Sequence, residues 1–300
     1  MTEHSSRDGG AWGLLAILVC LYGSAFLLIK ITVETISPVS AVAIRIVTAT
    51  AVLLVACLVM GRRLPPLRGL RHWGMLAILG ITGSVAPFIL ISWGQQTVPS
   101  SLAGILMAIM PLTTMVLAAA LVPGEAITPR RLAGFTMGFF GLVILFGPTA
   151  LGLAGRVGVL AQLAILSGAC FYALNAVLSK HRPPMDALTA ATAIHLCASF
   201  MIVPLAFLVE DPMTLEPSQA SLAAVTTLGV LCSAFATLVL LRLIDRAGPS
   251  FTAQINYLIP LWATGLGIIL LGENPGMEAL PALILILGGI AVAQDRRKAG

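Results

Sequence analysis

The chain has 300 residues, 58% of them hydrophobic and 10% charged, with a formal net charge of +5 and a mean hydropathy of +1.02. Soluble domains carry about 25% charged residues, so a soluble enzyme or a disordered chain is excluded. The basic residues gather at the ends of apolar runs, so the positive balance reports membrane topology and contact with anionic lipid and gives no support to nucleic-acid binding.

The first eleven residues are polar with mixed charge. The apolar run behind them is too long for a signal-peptide core, so a short tail and a retained first span are expected. Ten apolar runs follow in order, at about 12–33, 38–60, 72–94, 99–121, 131–148, 157–179, 186–209, 219–243, 249–271 and 277–294. Each is near the roughly 20 residues that carry a helix across about 30 Å of hydrocarbon. The expected fold is an all-α polytopic membrane protein of ten transmembrane helices.

Polar residues inside such runs cost free energy and need a reason to be there. Run 1 holds Tyr22. Run 2 holds Arg45, about 10 Å deep by helix rise, which stays charged and needs an acceptor, either helix-end carbonyls or Glu34. Run 3 holds Pro87 and Phe88 and ends in Gln95 and Gln96, and run 4 holds Met107 and Met110 before Pro111. Run 5 carries Gly134, Gly138 and Gly141 at a spacing that lets helices approach closely. Run 6 holds Gln162, Tyr172 and Asn175, and run 7 holds His195 and Pro204. Run 9 holds Gln254, Asn256 and Tyr257 ahead of Pro260 and Trp262, and run 10 holds Gly288 and Gly289.

Tyr22, Phe88, Tyr172, Asn175, Gln254, Tyr257 and Trp262 are the candidate solute contacts, because amides, hydroxyls and aromatic rings can bind a polar solute without fixing a charge in the bilayer. Packing roles compete: Asn175 could simply bridge two helices, and Tyr22 and Tyr172 could be core. Pro111, Pro260, Arg45 and His195 are the candidate hinge and gating positions. Against this, the prolines could be passive kinks, Arg45 a structural tether, and His195 a neutral residue bonded to a neighbouring helix instead of a proton site. Trp12, Trp73 and Trp93 lie near run ends and fit an interfacial belt. Cys20, Cys57, Cys170, Cys197 and Cys232 all fall in apolar runs without metal-type clustering and are expected to be small core residues.

The chain repeats itself. Cys20, Tyr22, Leu28 and Lys30 recur 150 positions later as Cys170, Tyr172, Leu178 and Lys180. Ser101 and Pro111 then pair with Ser250 and Pro260, Gly124-Glu125 with Gly272-Glu273, and Gly141 with Gly289, while Arg45 is answered by His195. The expected halves are 1–150 and 151–300, with five runs each. An odd number of spans per half inverts the second copy, placing a shared site near mid-depth between two opposed gates. Fourteen of the seventeen Lys and Arg residues fall on one set of run ends, which assigns that side, and both termini, to the cytoplasm.

Tyr22-Gly23-Ser24-Ala25-Phe26 ending in Lys30, then Pro38 and Arg45, then Pro111, Gly124-Glu125 and Gly141, resembles the drug/metabolite transporter superfamily, and within it the ten-helix EamA-type members. The resemblance covers essentially the whole chain in both halves. It departs from strict duplication at Ala173, Leu188 and His195, where the first half has Gly23, Pro38 and Arg45. It implies a bacterial inner-membrane exporter of small metabolites, amino acids first among them, working by alternating access as a monomer or weak homodimer in the lipid bilayer, without cofactor. A multidrug or cation efflux protein of the same superfamily is the alternative. An intramembrane enzyme is a different class, disfavoured because His4, His72, His181 and His195 form no ligand pair and no metal site or catalytic residue can be picked out. None of the twelve acidic residues lies in the middle of a run, so facilitated export or exchange is expected in place of carboxylate-based proton coupling.

Overall fold

The computed structural model describes residues 9–64, 70–121, 128–151, 155–252 and 254–293. Among these the secondary structure is helical, as it must be where no water is available to satisfy the backbone and each helix bonds its own peptide groups. The chain begins with α1 (Gly9–Thr32) and α2 (Pro38–Val59). The third apolar run is α3 (Leu70–Gly80) and α4 (Ala86–Gln95), joined through a π-helical turn at Ile81–Val85. The fourth is α5 (Ser100–Met107) and α6 (Met110–Leu121), followed by α7 (Pro129–Leu151).

The chain continues with α8 (Gly155–Leu178) and α9 (Ala187–Val209). Then come α10 (Gln219–Thr227) and α11 (Ala236–Thr252), joined through a second π segment at Leu228–Phe235. The chain ends with α12 (Ile255–Leu271) and α13 (Ala279–Ala293). Among the described residues seven continuous helical stretches are long and apolar enough to cross a membrane, and shorter apolar helices occupy Leu132–Ile144, Leu258–Leu271 and Ala279–Ala293.

Local chemistry sets the helix ends. Pro38 opens α2, where its missing N–H costs nothing. The Asp186 carboxylate accepts from the Thr189 amide at 3.0 Å and caps α9, and the Ser218 hydroxyl accepts from Ser221 N–H at 3.1 Å to cap α10. Gly272, at φ +63°, ends α12 in the left-handed conformation that glycine adopts without strain. One boundary differs from expectation: α11 runs through the predicted inner turn to Thr252. Hydropathy marks where a helix leaves hydrocarbon, and Arg242 and Arg246 can extend it into water without losing a backbone bond.

The helices pack across the two halves of the sequence. α2 lies against α9, α4 against α8, α5 against α12 and α7 against α13. α1 packs on both α11 and α12, α6 on α8, and the second π segment on α2. Apolar area gains nothing when lipid is the alternative, so close approach at small residues does the work. A Cβ at Gly134 would collide with the Gly289 carbonyl, and one at Gly141 would stand 2.9 Å from the Ala282 carbonyl. The glycine face of α7 is therefore consumed inside the chain, against α13. Phe200, Leu208 and Ile269 are among the large apolar side chains left facing outward.

Candidate functional site

Where the helices of the two halves cross, they leave a cavity of about 460 Å³. α1 contributes Tyr22 and Phe26, α2 contributes Arg45, and α8 contributes Tyr172 and Asn175. His195 comes from α9, Asn256 and Pro260 from α12, and Met110 and Pro111 from α6. The π segments bring Gly83 and Ser84 from one side and Cys232 and Ser233 from the other, with Phe88 just beyond the first and Thr237 beyond the second.

The two π segments are built alike. A π turn inserts one residue into a helix, widens it locally and redirects the side chains that follow. In the first segment the Ala86 amide reaches back to the Ile81 carbonyl, and Pro87, which has no N–H, follows at once. The second segment contains no proline, so proline does not account for both. What they share is a glycine at a 149-residue offset, Gly80 immediately before the first segment and Gly229 within the second, each pressed on the backbone of a helix from the other half. A Cβ at Gly80 would lie 3.1 Å from the Ile194 carbonyl, and one at Gly229 would lie 2.9 Å from the Arg45 carbonyl. Ser84 and Ser233 stand at the same 149-residue offset, and both line the cavity.

The polar groups are individually fixed. Asn175 donates through Nδ2 to the Leu79 carbonyl and to Thr82 Oγ1, both at 3.0 Å, so it clamps the first π segment to α8. Gly83 makes room for this, since a Cβ there would be 2.7 Å from Asn175 Nδ2. The anticipated helix-bridging role of Asn175 and its position on the cavity wall thus coexist. Arg45 is 7% exposed. Its Nε donates to Ser233 Oγ at 3.0 Å, and its guanidinium carbon lies 3.7 Å from the centre of the Phe88 ring. The acceptor is therefore a hydroxyl of the opposite half, neither Glu34 nor a helix-end carbonyl. Phe88 in turn meets Tyr172 edge-on at 6.3 Å. His195 Nδ1 lies 3.0 Å from the Ala191 carbonyl of its own helix, not a neighbour's. A carbonyl can only accept, so Nδ1 carries the proton and Nε2 of the neutral ring is an acceptor.

Of the residues singled out in the sequence, Tyr22, Phe88, Tyr172 and Asn175 line the cavity together with Pro111, Pro260, Arg45 and His195. Gln254 and Trp262 do not. Gln254 sits at the N-terminus of α12, its amide bonded to the Phe251 carbonyl, and the Trp262 indole donates to Ser24 at 3.1 Å, pinning α12 to α1. The Tyr257 side chain lies outside the described residues. Pro111 sits just inside α6, after a break at Ala108 and Ile109, whereas Pro260 lies within an uninterrupted α12. Ser84, Ser233 and Thr237 also line the cavity, and the 149-residue pairing of Ser84 with Ser233 is the sequence signal that marks the first two.

One end of the molecule carries a set of hydrogen bonds between elements. Lys30 Nζ donates to the Gln95 carbonyl at 2.8 Å, and Gln95 Nε2 donates to the Phe26 carbonyl at 2.9 Å. Glu273 accepts the Ser100 and Ser101 amides at 2.7 and 2.8 Å, neutralising the start of α5. Glu210, just past α9, accepts from the Ser37 hydroxyl and from the amide and hydroxyl of Ser40 at 2.8 and 2.7 Å. Burial raises the pKa of this carboxyl, but those bonds outweigh it and hold the group below the usual carboxylate range. Toward the other end the cavity extends to Leu240, Ile255 and Asn256.

Comparison with known proteins gives a consistent picture. The EamA-like transporter family model matches residues 10–147 and again residues 159–293. Among similar proteins is the "uncharacterized inner membrane transporter YedA" of Escherichia coli (strain K12), 26% identical over 284 residues covering 94% of this chain and 88% of that protein. Another is a "probable terminal-alkyne amino-acid exporter" of Streptantibioticus cattleyicolor, 27% identical over 284 residues, 94% of this chain and 90% of the relative. A solved crystal structure superimposes with a TM-score of 0.65 at 22% identity, covering 96% of this chain and 99% of that one, a likeness of fold.

Proposed function

The chain belongs to the EamA-like transporter family, and from that premise we propose that it exports small metabolites, amino acids foremost, across a bacterial inner membrane. Export proceeds by alternating access around the central cavity. The observation that carries this reading is a cavity of about 460 Å³ walled by residues of both halves, with room for a small metabolite such as an amino acid.

The ten-helix, inverted 5+5 organisation is part of the proposal. Supporting it are the family match in each half and packing that pairs α2 with α9, α5 with α12 and α7 with α13. These are the second, fourth and fifth apolar runs of each half, as a pseudo-two-fold axis in the membrane plane would have it. With both termini cytoplasmic, the end tied by Lys30, Glu210 and Glu273 faces outward, and solute enters from the inside.

Transport is facilitative. Among the described residues that line the cavity there is no Asp or Glu, so carboxylate-based proton coupling has no seat there. Proteoliposomes containing only this protein test the reading. Uptake of labelled leucine, with a competition panel of the twenty amino acids, should be saturable with equal pH on both sides. Uptake that appears only under an imposed pH gradient would overturn the facilitative mechanism, and the absence of uptake or competition for every amino acid would overturn the substrate class.

A further inference from the structure

Among the described residues Arg45 has no counter-ion. It sits seven residues inside α2, 7% exposed, in a segment that crosses the hydrocarbon. Arginine stays protonated under all physiological conditions, so its charge must be met by its surroundings. Among the described residues it makes one hydrogen bond, from Nε to Ser233, and one ring contact, with Phe88. The four N–H groups of the two terminal nitrogens have no hydrogen-bond partner among the described residues. A cation over an aromatic face gains less than burying an ion costs, even after relaxation. The ring and one hydroxyl do not close that gap.

We propose that Arg45 is the carboxylate-binding residue of this transporter, and that the solute's own carboxylate is its missing counter-ion. The inference rests on the small-metabolite reading above and narrows it to solutes with one carboxylate and an apolar body. Phe88 and Ser233 hold the guanidinium from its face and from Nε, leaving the terminal nitrogens as a two-pronged donor for a carboxylate. The opposite charge is served by acceptors alone. The Asn175 amide oxygen takes no hydrogen bond among the described residues while its nitrogen is doubly used, and His195 offers Nε2. Both can receive an ammonium. Phe26, Ile29, Ile91 and Met107 form the apolar wall for a side chain. A fixed positive charge with no acid beside it among the described residues also repels organic cations, which separates this site from that of a cation efflux protein.

Three probes of one shape test the assignment: leucine, leucinamide, which lacks the carboxylate, and 4-methylpentanoate, which lacks the amine. Thermal unfolding of the detergent-solubilised full chain reads binding without requiring flux. Leucine and 4-methylpentanoate should raise the unfolding temperature and leucinamide should not. Arg45→Gln should abolish both responses. Arg45→Lys, which keeps the charge and loses the fork, should retain them with about a tenfold higher concentration needed.

A purely structural arginine would lower stability in both variants without changing the concentration of carboxylate required, and that result overturns the proposal. So does a response to leucinamide equal to that of leucine, or no response to either carboxylate. If Arg45→Gln does not yield folded protein, the shift in Arg45→Lys decides. A response to 4-methylpentanoate without one to leucine supports the role of Arg45 and contradicts the amino-acid reading.

Discussion

Glu210 carries more of the outer end's order than its place at the end of a helix implies. It collects the Ser37 hydroxyl, the Val39 amide, and the Ser40 amide and hydroxyl, so one carboxylate caps the start of α2 from the end of α9. Its pKa in the fold lies below the ordinary 4.5. A depressed pKa contributes stability that is present above the unfolded value and lost as pH falls through the folded one. Wild type should therefore unfold at a higher temperature than Glu210→Gln at neutral pH, and the gap should narrow as pH falls below about 4.5 and close once the folded wild type has lost the anion that the variant never carries. A gap unchanged by acid would mean that the bonds do not depend on ionisation. At this scale the sequence was legible where a residue stands out against its background. Tyr22, Phe88, Tyr172 and Asn175 are conspicuous among aliphatics, and all four line the cavity. Thr237 is not, because its hydroxyl bonds the Ser233 carbonyl of its own helix at 2.7 Å and so sits in an apolar run without penalty. Trp262 lies outside the cavity lining, and a helix that is apolar all round has no periodicity from which to read its inner face.

The elements that shape the cavity are the π segments, and hydropathy is blind to them. Ile81–Val85 and Leu228–Phe235 read as ordinary apolar run, since a widened turn changes hydrogen bonding but not composition. Their signature is the glycine that each presses on a helix of the other half. Gly229→Val should cost about 1–3 kcal/mol through overpacking, because a Cβ would lie 2.7 Å from Thr48 Cβ and 2.9 Å from the Arg45 carbonyl. Gly265→Ala in α12, with nothing within 4 Å of its Cβ, should be neutral or slightly stabilising. Thermal unfolding in detergent compares the two directly. Equal behaviour would mean that close approach at Gly229 does not hold the second π segment. The prolines show the same limit of sequence reading. Pro111 and Pro260 are repeat partners, yet a break precedes Pro111 while Pro260 rides inside α12. A proline removes one bond, and whether the helix parts depends on what packs around it.

For the whole molecule, the duplicated sequence and the charge bias give a framework whose two ends are in different conditions. One end is latched by Lys30, Glu210 and Glu273, and the cavity runs toward the other. A carrier that exposes one site alternately to each side exchanges solute for solute, so counterflow tests the central claim most directly. Proteoliposomes holding only this protein, preloaded with unlabelled leucine and diluted into labelled leucine at equal pH, should accumulate label transiently above its equilibrium level and then decline. A trace that rises to equilibrium without overshoot, or does not rise at all, would contradict alternating access through the central cavity.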